Sequence, residues 1–149
     1  MNLKKILSKE SIIMDLKGQS KDAILAELTD FLASNGKIND REGVITALKE
    51  REAKMSTGMS NGIAIPHAKT DLVKEMVALI ALKKDGVDFA AMDGQPCNIF
   101  IMTLSPATGA GPHIQFLAEV SRLLSQEPIR EKILASTTKQ EVLEHFLNN

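Results

Sequence analysis

The 149-residue chain has no tryptophan and no tyrosine, and only five phenylalanines. A stacking platform for single-stranded nucleic acid is therefore not expected, nor a sugar site built on aromatic rings. It has one cysteine, Cys97, so no intramolecular disulfide can form. That usage suits a reducing cytoplasm. No segment approaches the ~20 apolar residues that a spanning helix needs, and the amino-terminal Met1-Asn2-Leu3-Lys4-Lys5-Ile6-Leu7-Ser8 is basic without the apolar run of a secretory signal. An excess of one charge is also missing. The 18 Lys and Arg balance 19 Asp and Glu, for a formal net charge of −1. Such a balance gives no general attraction for nucleic acid or an anionic bilayer. Neither nucleic acid nor membrane insertion is expected.

What is present is an ordinary globular composition, with 44% hydrophobic and 25% charged residues. The length fits one domain over residues 1–149, with no internal repeat, low-complexity tract or linker. Ser11 to Leu16 reads as a short strand. Ser20 reads as an N-cap, followed by Ile24, Leu25, Leu28, Phe31 and Leu32 at helical spacing, with Gly36 as a left-handed stop. Asp40 can cap a second helix, in which Val44, Leu48 and Arg51 fall near one face. Ser56 to Gly62 is a polar loop. Ile63 to Ile65 is a short strand that Pro66 is expected to end. Met76–Leu82 and Asn98–Leu104 read as buried strands, and Asp85-Gly86 and Asp93-Gly94 as turns. Ser105 to Pro112 is a loop. A helix then starts at His113, with Ile114, Leu117, Val120 and Leu124 inward. Pro128 suits the first turn of a further helix, and Thr138 with Glu141 forms a capping pattern for the last. Interleaved helices and strands, with central strands buried on both faces, imply an α/β fold: one three-layer domain with a mixed β-sheet flanked by helices.

Three residues stand out chemically. His67 is delivered by a strand to a sheet edge on a proline-stiffened backbone. A neutral imidazole nitrogen is a good nucleophile near pH 7, and attack on a phosphoryl group gives a phosphohistidine reactive enough to pass the group on. Taken alone, a partly exposed surface histidine is the commoner reading. His113 stands at a helix start, where the dipole disfavours an imidazolium and attracts an anion; it also reads as part of a helix cap. Arg51 could hold two phosphate oxygens at once, or pair with the adjacent Glu50 or Glu52. The Ser56-Thr57-Gly58 loop could add hydroxyl and N–H donors to an anion site, or simply connect elements. His67, His113 and Cys97 lack the ligand spacing of structural zinc sites. Neither a Walker A motif, a dinucleotide glycine pattern nor a nucleophile elbow appears. Cys97 beside an apolar strand reads as buried and inert, and His145 in the last helix as structural or surface.

Taken in order, Arg51-Glu52-Ala53, Ser56-Thr57-Gly58 and Asn61-Gly62-Ile63-Ala64-Ile65-Pro66-His67 resemble the core signature of the fructose/mannitol class of enzyme IIA of the bacterial sugar phosphotransferase system. Val87-Asp88-Phe89 through Asp93-Gly94-Gln95-Pro96 is similar to its central region, and His113 to Leu124 to its second-histidine helix. The resemblance spans nearly the whole chain. It implies that His67 is the phosphorylated residue, through Nε2, with His113 and Arg51 supporting the phosphoryl group. It implies the phosphocarrier protein HPr as donor, a cysteine of an enzyme IIB as acceptor, and no metal or nucleotide cofactor. No IIB or IIC segment is attached, so both are expected as separate proteins. The nitrogen-related enzyme IIA shares the motif and implies the alternative role of a phosphorylation-dependent regulator. Transfer between proteins also calls for a shallow, partly apolar docking surface, with Met59 and Ile114 expected to be partly exposed.

Overall fold

Serine and aspartate set the starts of the first two helices. In the computed structural model, which describes residues 3–108 and 111–148, Ser20 accepts the N–H of Ala23 and opens α1, Lys21–Ser34. Asp40 accepts the N–H of Gly43 and opens α2, Arg41–Lys54. Gly36 takes φ +70° and closes α1. The Gly36 N–H meets the Ala33 carbonyl at 3.1 Å and the Lys37 N–H meets that of Leu32 at 2.9 Å, which satisfies two otherwise orphaned acceptors. Ile24, Leu25, Leu28 and Leu32 are buried as the spacing predicts. Phe31 is only half-buried; Thr29 takes an inward place instead, its hydroxyl satisfied by the Leu25 carbonyl at 2.8 Å.

The strands are β1 (Ile12–Ile13), β2 (Ile63–Ala64), β3 (His67–Lys69), β4 (Val77–Val87) and β5 (Cys97–Ser105). Among the described residues they form one mixed sheet in the order β1-β4-β5, with β2 and β3 in succession along the far edge of β5. β4 and β5 are antiparallel, with Ile80 opposite Ile101; the other pairings are parallel. Alternation along the two central strands feeds two cores. Ile80, Leu82, Ile99 and Ile101 pack with residues of α3 (Gly111–Leu124), α4 (Glu127–Ala135) and α5 (Lys139–Leu147). Leu79, Ala81, Phe100 and Met102 pack with residues of α1 and α2 on the other face. Helices thus cover both faces, and the three-layer α/β expectation holds. Among the described residues, no helix is long and apolar enough to cross a membrane.

Other local readings change as well. The strand expected over residues 11–16 shrinks to Ile12–Ile13, because Lys9–Ser11 coils into a 3-10 turn; Leu16 still donates its N–H to the Leu82 carbonyl at 2.9 Å. Asp85-Gly86 is not a turn between elements. It lies within β4, where the register against β5 shifts between Leu82 and Val87, and Gly86 supplies φ +76° at that irregularity. Pro66 interrupts the edge strand without ending it: Ile63 lies opposite Ile99 and His67 opposite Thr103, the same register on both sides. Proline lacks the N–H for one rung of the ladder, a loss that an edge strand tolerates. Finally, α3 begins at Gly111, before His113, and its inward face is offset. Phe116, Val120, Leu123 and Leu124 are buried with His113, Leu117 is half-buried, and Ile114 is 63% exposed. The turn at Asp93-Gly94 forms as expected, with the Gly94 N–H on the Ala91 carbonyl at 3.0 Å. Pro128 lies in the first turn of α4, and the Thr138 hydroxyl accepts the N–H of Glu141 at the start of α5. The expected loop of residues 105–112 is shorter at both ends, since Ser105 closes β5 and Gly111 and Pro112 open α3; its Gly109 and Ala110 lie outside the described residues.

Candidate functional site at the edge of the sheet

The approach to His67 is a tight polar loop. Asn61 and Gly62 both take positive φ, +63° and +78°. A Cβ on Gly62 would stand 2.5 Å from the Asn98 side-chain oxygen, so glycine is required both for the turn and for the close approach to β5. The Asp93 side of the molecule holds this loop from outside. Met92 donates its N–H to the Gly58 carbonyl at 3.1 Å, Asp93 accepts the N–H of Asn61 at 3.2 Å, and the Ser56 hydroxyl donates to the Phe89 carbonyl at 2.8 Å.

The Ser56-Thr57-Gly58 donors are committed to the scaffold. Thr57 gives both its hydroxyl and its N–H to the Glu52 carboxylate. Glu52 also takes the Lys21 ammonium at 2.7 Å, and that ammonium bonds Ser56 Oγ and lies 4.7 Å from the centre of the Phe89 ring. Glu52 therefore pairs with Lys21, not with its neighbour Arg51. Arg51 is half-buried near the end of α2, the helix packed on β3. Its Nη1 donates to the Met55 carbonyl at 2.7 Å, and among the described residues it has no acidic partner. One of its five N–H donors is thus used among the described residues.

His67 opens β3 and is half-buried. Its Nδ1 lies 2.8 Å from the Ile65 carbonyl. A carbonyl can only accept, so Nδ1 carries a proton, and in the neutral ring the lone pair is on Nε2. His67 is the register partner of Thr103, so the two side chains rise from the same face of the sheet. That face is the one α3 covers. His113, the third residue of α3, points down onto it and is 4% exposed. The two imidazoles meet with ring centres 5.8 Å apart and planes inclined at 51°. His113 Nε2 lies 2.7 Å from the buried Thr103 hydroxyl. Burial, then the neighbouring His67 and Lys69 charges, hold the His113 pKa below the ordinary imidazole value. Its neutral form is therefore favoured.

The structure thus joins His67 and His113 directly; Arg51 lies on α2, which packs on β3, and no hydrogen bond links it to either ring among the described residues. His145 lies in α5, which packs on β1 at the opposite edge of the sheet. Cys97 is fully buried and its thiol is pushed up to about 11, mainly by burial, which matches the inert reading. Thr103 was not singled out from the sequence. Its one signal is a hydroxyl within the apolar run Ile99 to Leu104, at the same parity as Ile99 and Ile101. Met59 and Met92, whose segments are joined by the Met92–Gly58 backbone bond, are 42% and 79% exposed, and Ile114, next to His113, stands out from the first turn of α3. His113, but not His67, borders the cleft running toward Leu7 and Lys74.

Residues 5–149 match the family model described as phosphoenolpyruvate-dependent sugar phosphotransferase system, EIIA 2. The chain is 39% identical over 133 residues to the fructose-specific EIIA component of the phosphotransferase system of Haloferax volcanii, covering 89% of this chain and 86% of that one. The crystal structure of nitrogen regulatory protein IIA-Ntr from Neisseria meningitidis superposes with a TM-score of 0.89 at 28% identity, covering 95% and 97% of the two chains. The fold is also that of enzyme IIAMTL in its complex with phosphorylated enzyme IIBMTL from Escherichia coli, with a TM-score of 0.82 at 23% identity and 96% and 98% coverage. A strand-borne histidine facing a helix-borne one, on a fold and sequence shared with these proteins, places the chain in the EIIA type-2 family of the phosphoenolpyruvate-dependent sugar phosphotransferase system.

Proposed function

We propose that the chain is one cytoplasmic phosphocarrier domain, residues 1–149, that takes a phosphoryl group from phosphorylated HPr on His67 and passes it to a cysteine of an enzyme IIB during sugar uptake. The observation that carries this reading is the Nδ1–H of His67 donated to the Ile65 carbonyl at 2.8 Å. It leaves Nε2 as the nucleophile and holds its lone pair in a fixed direction. In the first step the Nε2–P bond forms as the N–P bond of the donor phosphohistidine breaks, and the donor imidazole leaves with the electron pair. In the second, a IIB thiolate attacks phosphorus and His67 Nε2 is the leaving group. Both steps exchange one activated phosphoryl bond for another, so alignment and charge stabilisation are the protein's task. Neutral His113 supplies an N–H to the phosphoryl oxygens, and Arg51 the donors not used on Met55. The docking surface is the exposed apolar rim of Met59, Met92 and Ile114.

The likeness to a nitrogen regulatory protein supports a second reading, in which the same phosphohistidine acts as a switch for binding other proteins. Similarity to a fructose-specific component favours the carrier. The test is incubation with labelled phospho-HPr, followed by candidate IIB proteins. Acid-labile label on His67 that chases onto a IIB cysteine is the expected result. Label that forms but reaches no IIB supports the regulator, and no label overturns both.

A further inference from the structure

We infer that Thr103 is a positioning residue that fixes the tautomer of His113, its hydroxyl donating to Nε2 so that Nδ1 holds the proton available to a phosphoryl group. This rests on the reading of His67 as the phosphoacceptor. Thr103 is fully buried in β5, and its backbone N–H is bound to the Pro66 carbonyl at 3.0 Å, directly beside His67. The rung that holds His67 therefore also holds the hydroxyl that meets His113. As a β-branched residue in a strand, Thr103 has a stiff χ1, so the hydroxyl stays in place.

The direction of the hydrogen bond follows from accounting for protons. Among the described residues Thr103 Oγ1 has one partner, His113 Nε2. If Nε2 were the donor, the hydroxyl proton would be buried with no acceptor, the costlier kind of omission. With the hydroxyl as donor, only spare acceptor capacity is left over. Nε2 is then unprotonated, and the neutral ring must carry its proton on Nδ1. Nδ1 has no partner among the described residues, and the buried side-chain atoms lacking one are Asn98 Oδ1 and Ser105 Oγ alone. Nδ1 is therefore a donor that no group of the described residues holds, on a ring whose centre lies 5.8 Å from that of His67. The opposite tautomer would turn a lone pair toward the phosphoryl oxygens. His67 is fixed in the same way: in each ring a partner from the sheet occupies one nitrogen and defines the state of the other.

The experiment compares wild type, Thr103→Val, which keeps the shape without the hydroxyl, and Thr103→Ser, which keeps the hydroxyl. Two quantities are read: the His113 tautomer, from long-range 1H–15N spectra of the unphosphorylated protein, and the single-turnover rate of label acceptance from phospho-HPr. Wild-type His113 is expected with its proton on Nδ1. Thr103→Val is expected to shift the ring toward Nε2–H and to slow acceptance about tenfold, with Thr103→Ser restoring most of both. Wild-type His113 protonated on Nε2 overturns the inference, as does a folded valine variant with unchanged tautomer and rate. If the valine variant fails to fold, the wild-type spectrum and the serine variant still decide. Wild type that shows the Nδ1 proton yet accepts no label overturns the role in transfer through its premise, which separates that failure from a wrong tautomer.

Discussion

Two polar clusters flank the edge strand, and they differ in how completely they are satisfied. In the Lys21–Glu52–Ser56–Thr57 cluster, the carboxylate takes an ammonium, a hydroxyl and a backbone N–H, and the serine both donates and accepts. Each of these side chains has a partner inside the cluster. In the His67–Thr103–His113 cluster, one nitrogen of each ring is committed and, among the described residues, the other is not. Arg51, next in sequence to Glu52, also keeps most of its donors. Side by side in the chain, Glu52 closes a scaffold and Arg51 leaves valence open. Hydrogen-bond accounting thus separates residues that build the site from those that can act in it.

The largest effect that could break this division is at His67. His67→Ala should abolish acceptance of label from phospho-HPr while leaving the fold intact, since a half-buried side chain on an edge strand is removed and no other nucleophile takes its place. Label at the normal rate on the variant would mean that the open cluster is not the acceptor. Next come the two supporting groups. His113→Ala and Arg51→Ala should each slow acceptance by roughly 10²-fold without abolishing it. Arg51→Lys should recover little, because a point charge lacks the fork. Full recovery by lysine in a stopped-flow or quench assay would show that Arg51 acts by charge alone.

The closed cluster should answer in stability instead. Glu52→Ala leaves a part-buried ammonium and a buried threonine hydroxyl without their acceptor, and should cost roughly 2–3 kcal/mol in urea unfolding. If Glu52→Ala retains wild-type stability but loses transfer, the division between scaffold and site is wrong.

The three-layer fold was readable because it follows from alternation in two long apolar strands and from helix caps at Ser20, Asp40 and Thr138, all local signals. The pairing of His67 with His113 was readable as a resemblance, and the fold supplies its cause: both side chains reach the face of the sheet that α3 covers. The departures came where a tertiary partner overrode a local rule. Periodicity turned Ile114 inward because isoleucine is apolar; the structure turns His113 inward because Thr103, ten residues upstream on β5, satisfies it. Pro66 read as a stop because ladder continuity beyond a missing rung depends on the neighbouring strand. Pairing with Glu50 or Glu52 stood as the alternative to a phosphate role for Arg51, and the partner that removes Glu52 from it, Lys21, is 31 residues away and invisible from the local sequence.

The same comparison gives a pH dependence. His113 has its folded pKa below the ordinary imidazole value, from burial first, so protons bind the unfolded chain more readily. Its contribution to stability is therefore present above the unfolded imidazole pKa, about 6.5, and is lost as pH falls through the lower folded value. Urea midpoints should fall across that window in wild type, and the fall should be smaller in His113→Gln. Equal slopes for the two proteins would show that His113 is not held neutral by its surroundings.

The smallest effect is expected outside both clusters, on the rim. Met59 is 42% exposed, and its backbone N–H is bound to the Ile63 carbonyl at 2.8 Å, a bond that no side-chain change removes. Met59→Glu should therefore fold normally by circular dichroism. Its carboxylate would have to be desolvated wherever a partner covers the rim. A short-lived complex has little binding energy in reserve, so the penalty should appear in the second-order rate of transfer from phospho-HPr, as a loss of about fivefold. The saturating rate should be unchanged, because neither imidazole loses a partner. A folded Met59→Glu protein with the wild-type second-order rate would remove Met59 from the docking surface and leave Met92 and Ile114 to define it. A loss confined to the saturating rate would mean instead that the loop entering β2 acts on the position of His67, and would join rim and site into one unit.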